Sequence, residues 1–202
     1  MQLPVFTDPD PSKAWLRREQ DRLHAQADKM LTSTRVMEIF AKHGQLSPIE
    51  GSYQYGLMMY PDLDIGLSAN VITKQDFADL LGDLAAHSAV RGIATADTIN
   101  FNLSKHLRPK GYWIGVDIPF ENDRWGIDCW LQQPDWGSDQ EGEYAERLAT
   151  LDQPGKDAIL AIKYRLIRNG TYGKRYLSGD VYDAVLDRGV RSIEEFEKTM
   201  VP

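Results

Sequence analysis

The sequence predicts an α+β fold: a core of strands and helices over residues 33–133, with a helix before it and a helical region after it. Three observations carry this. Residues 62–71, 112–118 and 125–131 alternate apolar and polar side chains with the period of a strand. Residues 11–31 and 73–87 space their apolar positions for helices, each with a start signal. Beyond residue 134 strand-like alternation stops and helical spacing takes over. The chain divides accordingly into 1–32 (extended lead-in and helix), a core over 33–133, and a helical C-terminal region over 134–202.

Taken in order, Pro4, Pro9 and Pro11 make an extended start, and Asp10 caps a charged helix to about Leu31. Its apolar stripe holds Trp15, Leu16, Leu23, Ala27, Met30 and Leu31. A shorter helix follows from Arg35 to His43, stopped by Gly44. Leu46–Glu50 reads as a short strand leading into Gly51-Ser52, and Tyr53–Pro61 as a loop. Thr73 and Asp76 form a capping box for the helix carrying Phe77, Leu80, Leu81 and Leu84. Three strands are expected next, Thr98–Leu103, Tyr112–Ile118 and Trp125–Leu131, the last two joined by a hairpin loop at 121–124. Pairing Phe120 with Trp125 would set Asp117 opposite Asp128. Residues 134–143 read as a linker, followed by helices over 143–151, 155–169, 178–188 and 192–200, the last opened by Ser192 and Glu195.

Composition narrows the function classes. The net charge of −7 gives no general attraction to nucleic acid or to an anionic membrane, which argues against non-specific DNA binding. The single cysteine, Cys129, forms no internal disulfide and suits a reducing cytoplasm. The first residues lack the pattern of a signal peptide, and no apolar run is long enough to span a membrane.

The chemistry concentrates in residues 51–68. Leu63, Ile65 and Leu67 share one parity, and Asp62 and Asp64 share the other. On a strand both carboxylates face the same way and repel each other unless a cation sits between them. A hard divalent cation such as Mg²⁺ takes one or two carboxylates together with substrate phosphates. The Gly51-Ser52 turn just before offers backbone N–H groups and a hydroxyl to a phosphate.

Gly51-Ser52, Gly56-Leu57 and Asp62-Leu63-Asp64-Ile65 together resemble the signature of the nucleotidyltransferase superfamily that includes DNA polymerase beta. That pattern is an apolar residue, Gly-Ser, a loop, Asp-x-Asp on a strand and a third acid on a later strand. Glu50 departs from it, standing where an apolar residue is commoner. The resemblance implies a polymerase-beta-like core, a mixed sheet with flanking helices. It also implies transfer of a nucleoside monophosphate from a nucleoside triphosphate, with Mg²⁺ (two ions), to an acceptor hydroxyl. Asp62 and Asp64 would then be metal ligands, and Gly51 and Ser52 would hold the triphosphate. The third acid, ligand and base, would be Asp128 or Asp117. Both share the required parity, and the strand around Asp128 is the more similar to the family's.

Lys74, Lys105, Lys110 and Arg124 are candidate phosphate-binding cations. Tyr53, Tyr55 and the tryptophans 113, 125 and 130 are candidates for base stacking, with ordinary packing as the rival reading. The basic run Lys163, Arg165, Arg168, Lys174 and Arg175 is a candidate binding surface. A small-molecule acceptor such as an antibiotic is favoured by the resemblance. The alternative is a non-catalytic or toxin–antitoxin-type protein of the same fold, acting on or binding a protein or RNA partner.

Overall fold

The computed structural model describes residues 3–100, 110–133 and 140–200. It is a mixed α+β structure with eight helices and one five-stranded sheet among those residues. By their contacts they form two compact units. One holds 26–54, 61–100 and 110–133; the other holds 3–25, 55–60 and 140–200. The chain passes between them inside α1 (Lys13–Thr34), at both ends of 55–60 and again between 133 and 140. No helix among the described residues is long and apolar enough to cross a membrane.

The first unit is built on the sheet. Its strands are β1 (Gln45–Leu46), β2 (Asp62–Ser68), β3 (Gly92–Asp97), β4 (Tyr112–Phe120) and β5 (Asp123–Gln132), in the spatial order β1-β2-β5-β4-β3. β2 and β5 run parallel, and the other neighbours are antiparallel. One face is apolar and buried: Leu63, Ile65 and Leu67 from β2, Ile114, Val116 and Ile118 from β4, and Ile127, Cys129 and Leu131 from β5. Helices α2 (Met37–His43) and α4 (Lys74–Ala86) supply Ile39, Phe40, Leu80 and Leu84 to the same core. Phe77 of α4 stacks on Tyr112, whose parity is that of Ile114, so α4 covers the apolar face. The opposite face holds Asp62, Asp64, Asp128, Trp113 and Trp130, all partly buried.

The Thr73 box forms as expected. The Asp76 N–H donates to Thr73 Oγ1 at 3.2 Å, and the Thr73 N–H to Asp76 Oδ2 at 2.7 Å. Hydrogen bonds from Thr73 hold the Asp76 carboxyl below its ordinary range.

Several expectations need correction. The cap of α1 is Ser12, whose Oγ accepts the Trp15 N–H at 3.2 Å, not Asp10, and residues 53–55, expected in a loop, belong to a short helix, Gly51–Tyr55. The strand placed at Thr98–Leu103 lies earlier, at Gly92–Asp97, and Thr98–Asn100 is a turn; 101–103 lie outside the described residues. β3 is Gly-Ile-Ala-Thr-Ala-Asp, too poor in large apolar residues for its alternation to register, as an edge strand allows. The strand expected over Leu46–Glu50 stops at Leu46, because Pro48 has no N–H for a ladder. The segment still follows β2: Ser47 Oγ accepts the Gly66 N–H at 2.8 Å, and the Glu50 N–H reaches the Asp64 carbonyl at 2.9 Å.

The β4–β5 hairpin closes with two residues, Glu121 and Asn122, and pairs Phe120 with Asp123. Asp117 is therefore opposite Gly126, and Asp128 opposite Gly115. The shift from the expected register is even, so both acids keep the same face. Two-residue loops match the twist of antiparallel strands but need a positive φ, here 53° at Glu121. The Glu121 carboxylate pairs with Lys29 and accepts a hydrogen bond from Gln26 Nε2 at 3.2 Å, which holds the turn.

The second unit is helical. The helix α3 (Gly51–Tyr55), whose residues 51–54 belong to the first unit, leads into the 55–60 segment, and α5 (Gln140–Ala149), α6 (Gln153–Arg168), α7 (Ser178–Arg188) and α8 (Ile193–Thr199) follow in the chain. Ile159, Leu160, Ile162, Leu166, Val181, Val185 and Phe196 pack with Leu16, Leu57 and Met59. The Ser192 box is half formed: Ser192 Oγ accepts from the Glu195 N–H, while the Glu195 carboxylate takes the Arg191 N–H instead.

Asp157 and Lys163 are ionisable side chains buried inside this unit. The Asp157 carboxylate, 4% exposed, receives Arg17 Nε at 2.8 Å and Arg17 Nη2 at 2.6 Å, with Gln153 Nε2 at 2.9 Å. The Arg17 hydrogen bonds hold the Asp157 carboxyl below its ordinary range against the opposing effect of burial. A carboxyl whose folded pKa is depressed adds stability that is complete above its unfolded value of about 3.9 and is lost as pH falls through the folded value. Asp157→Asn should therefore melt below wild type at pH 7, and the gap should narrow as the pH is taken from 5 toward 2 (melting curves across that range, at roughly constant ionic strength). A gap that does not change with pH would show that the ionised pair contributes nothing.

Lys163 is fully buried, and its ammonium donates to the Leu57 carbonyl at 3.2 Å and to Tyr182 Oη at 3.1 Å. It also lies 5.0 Å from the centre of the Tyr182 ring. Lys163→Ala should cost about 2–5 kcal/mol, the usual range for truncating a long buried side chain. Lys163→Met keeps the volume and should cost less, since a buried charge also carries a desolvation penalty. Chemical denaturation of the two variants checks the order.

Candidate metal centre

Strand pairing assembles the acids. β2 and β5 lie side by side in parallel, with Asp64 abreast of Asp128 and Asp62 abreast of Gly126. Neighbouring strands are about 4.8 Å apart, so abreast side chains on one face reach each other. One carboxylate oxygen from each of Asp62, Asp64 and Asp128 lies within 4.8 Å of the other two. The donor set is all carboxylate oxygen, the chemistry of a hard cation such as Mg²⁺, Mn²⁺ or Ca²⁺. Oxygen ligands at 2.0–2.6 Å on opposite sides of one ion stand roughly 4–5 Å apart, so the cluster fits a shared ion.

Gly51 opens α3 in the left-handed region, with φ 65°. A Cβ there would fall 2.5 Å from Asp64 Oδ2. Only a glycine lets the backbone come this close to the carboxylate. Ser52 follows as the second residue of α3, partly buried. The Gly-Ser pair and the second acid of Asp-x-Asp are thus packed together, and the Glu50–Asp64 bridge sets their spacing.

Asp117 is turned to another use. Its carboxylate is bound by Arg124, with Nε at 3.2 Å and Nη2 closer, and the hydrogen bonds raise the guanidinium pKa. Asp128, not Asp117, joins Asp62 and Asp64. Arg124 is correspondingly engaged at Asp117. Lys74 and Lys110 are exposed, and Lys105 lies outside the described residues.

Other candidates are brought elsewhere. Tyr53 donates to Asp28 Oδ1 at 2.5 Å; burial first, then this bond, pushes its pKa up to about 12. Tyr55 packs on the apolar cluster of the second unit. Trp125 is fully buried, while Trp113 and Trp130 form a direct cross-strand pair on the acidic face. The Cys129 thiol is buried, and burial, followed by the charge of Asp128, pushes its pKa up, which keeps it an inert core residue. The basic run is not one surface: Lys163 is internal, Arg165 binds the Pro9 carbonyl at 2.7 Å, and Arg168, Lys174 and Arg175 are exposed.

Sequence reasoning missed the contact of Gly51 with Asp64, the capture of Asp117 by Arg124 and the setting of Trp113. Only the last left a trace, the Trp113-x-Gly115 pairing on the parity of the acids. No protein-family model matches the chain, and no curated protein matches it significantly.

Proposed function

We propose that the chain is a metal-dependent nucleotidyltransferase that moves a nucleoside monophosphate from a nucleoside triphosphate to an acceptor hydroxyl. The observation that carries this reading is the convergence of Asp62, Asp64 and Asp128 beside a Gly-Ser turn packed on Asp64. A lone acidic cluster would suit many roles. On this reading the start of α3 would offer N–H groups and the Ser52 hydroxyl to the ligand, which is what a polyphosphate bound next to a cation requires.

Asp62, Asp64 and Asp128 would hold Mg²⁺, in one or two ions, which when bound neutralises phosphate charge and lowers the pKa of a coordinated hydroxyl. Gly51 and Ser52 hold the triphosphate through backbone N–H and hydroxyl. Asp128 accepts the proton of the acceptor hydroxyl. The acceptor oxygen forms a bond to the α-phosphorus as the bond from that phosphorus to the α,β-bridging oxygen breaks. Pyrophosphate leaves with the electron pair. Positioning and charge stabilisation carry such a reaction, since the protein forms no covalent bond to the phosphoryl group.

The test is calorimetry of ATP, GTP, CTP and UTP, with and without Mg²⁺. Mg²⁺-dependent binding of at least one triphosphate, lost in Asp62→Ala/Asp64→Ala, is the expected result and names the base. A folded protein that binds none of the four would sink the reading.

A further inference from the structure

The two sides of Asp128 are different. On β2 its neighbour is Asp64, against which Gly51 packs. On β4 its neighbour is Gly115. The place a Gly115 Cβ would take is 2.8 Å from both Cζ2 and Cη2 of Trp113 and 3.5 Å from Asp128 Oδ1. The six-membered ring of Trp113 therefore lies over Gly115, and the ring and the carboxylate flank the same point. Small residues continue outward, since Ala94 of β3 is paired with Gly115 and exposed. Trp113 is only partly buried, in contrast to Trp125 on the apolar face, which is wholly enclosed.

We infer that Trp113 is the platform on which the acceptor stacks, so that the hydroxyl to be modified is carried on a flat ring. The inference rests on the transferase reading above. If Gly51 and Ser52 hold the triphosphate from the β2 side, the acceptor approaches from the β4 side. Its hydroxyl must come within about 2.6–3.2 Å of the Asp128 carboxylate. The atoms next to that hydroxyl then fall against the outer side of the indole, which itself covers Gly115. A sugar or nucleoside ring presents a flat face there, and an indole binds such faces by stacking and adjacent cations by its π-electrons. A hydroxyl on a short, ring-free side chain would reach Asp128 but leave the indole uncovered. Trp113 is a specificity residue on this account, and Gly115, having no side chain, leaves room for its ring.

The full chain labelled with 5-fluorotryptophan tests this by ¹⁹F NMR. The Trp113 resonance is identified by its loss in Trp113→Phe. Adenosine, glucosamine and, as a ring-free control, N-acetylserine amide are titrated in the presence of Mg²⁺ and α,β-methylene-ATP. A ring compound should shift the Trp113 resonance and the control should not. Trp113→Ala should weaken the ring compound roughly tenfold or more, the loss of one stacking contact, and Trp113→Phe should restore most of it. Mn²⁺ binding, followed by electron paramagnetic resonance, should be the same in Trp113→Ala and wild type. Equal shifts from the control, equal affinity in Trp113→Ala, or no shift from any ring compound would overturn the platform. Failure of the wild type to bind Mn²⁺ would instead overturn the metal site on which the platform depends.

Discussion

Metal-free Asp64→Asn should unfold at a higher temperature than wild type, and the order should reverse in saturating Mg²⁺ or Mn²⁺. Three carboxylates with oxygens within 4.8 Å of one another repel. At that spacing each like-charged pair is unfavourable by roughly 3 kcal/mol at an effective dielectric of 20, before salt screening. Their partial exposure reduces this, and removing one charge should recover on the order of 1 kcal/mol, about 2–4 °C for a chain of this size. In wild type a bound ion would turn the repulsion into ligation. A cation at 100 times its dissociation constant stabilises the folded state by about 2.7 kcal/mol. If the site holds a cation, Asp64→Asn would remove a ligand and most of that gain. Tryptophan fluorescence follows the transition, since Trp113, Trp125 and Trp130 all lie on the sheet. A variant less stable than wild type in both conditions would show that Asp64 is held by the fold for reasons other than a cation.

The second large effect is expected from Gly51→Ala. The residue sits at φ 65°, where a side chain costs roughly 1–2 kcal/mol, and its Cβ would meet Asp64 Oδ2 at 2.5 Å. The carboxylate must move, so the variant should lose both stability and the metal response. Gly56→Ala is the control. Gly56 has nearly the same φ, 67°, but its Cβ would come no closer than 3.6 Å to Gln20 Nε2. It should show a similar loss in chemical denaturation and keep Mn²⁺ binding by paramagnetic titration. If both variants retain Mn²⁺ binding equally, the close approach of Gly51 to Asp64 plays no part in the site.

Much of this site could be read from the chain because it rests on short-range rules. A strand has a period of two, so Leu63, Ile65 and Leu67 set Asp62 and Asp64 on the opposite face wherever the strand pairs. The same rule placed Asp117 and Asp128 on one face even with the register misjudged, because the error was two residues and parity survived. The Thr73 cap needs only groups three residues apart. β3 escaped notice because an edge strand needs no large apolar residues. Tyr53 and Lys163 carry nothing in their neighbourhoods to say that Asp28 and Tyr182 would meet them.

The sequence by itself determined the α+β class, the longer helices and the Thr73 cap, the inward and outward faces of β2, β4 and β5, and a pair of acids presented together. The tertiary structure alone decided that β5 lies beside β2, that Asp128 rather than Asp117 stands next to Asp64, and that Trp113 leans over Gly115. The physical reason is range. Parity and capping are settled by neighbours within one turn or one pleat. Which strand lies abreast of β2 depends on burying the apolar faces of segments more than fifty residues apart in the chain, and no local pattern encodes that choice.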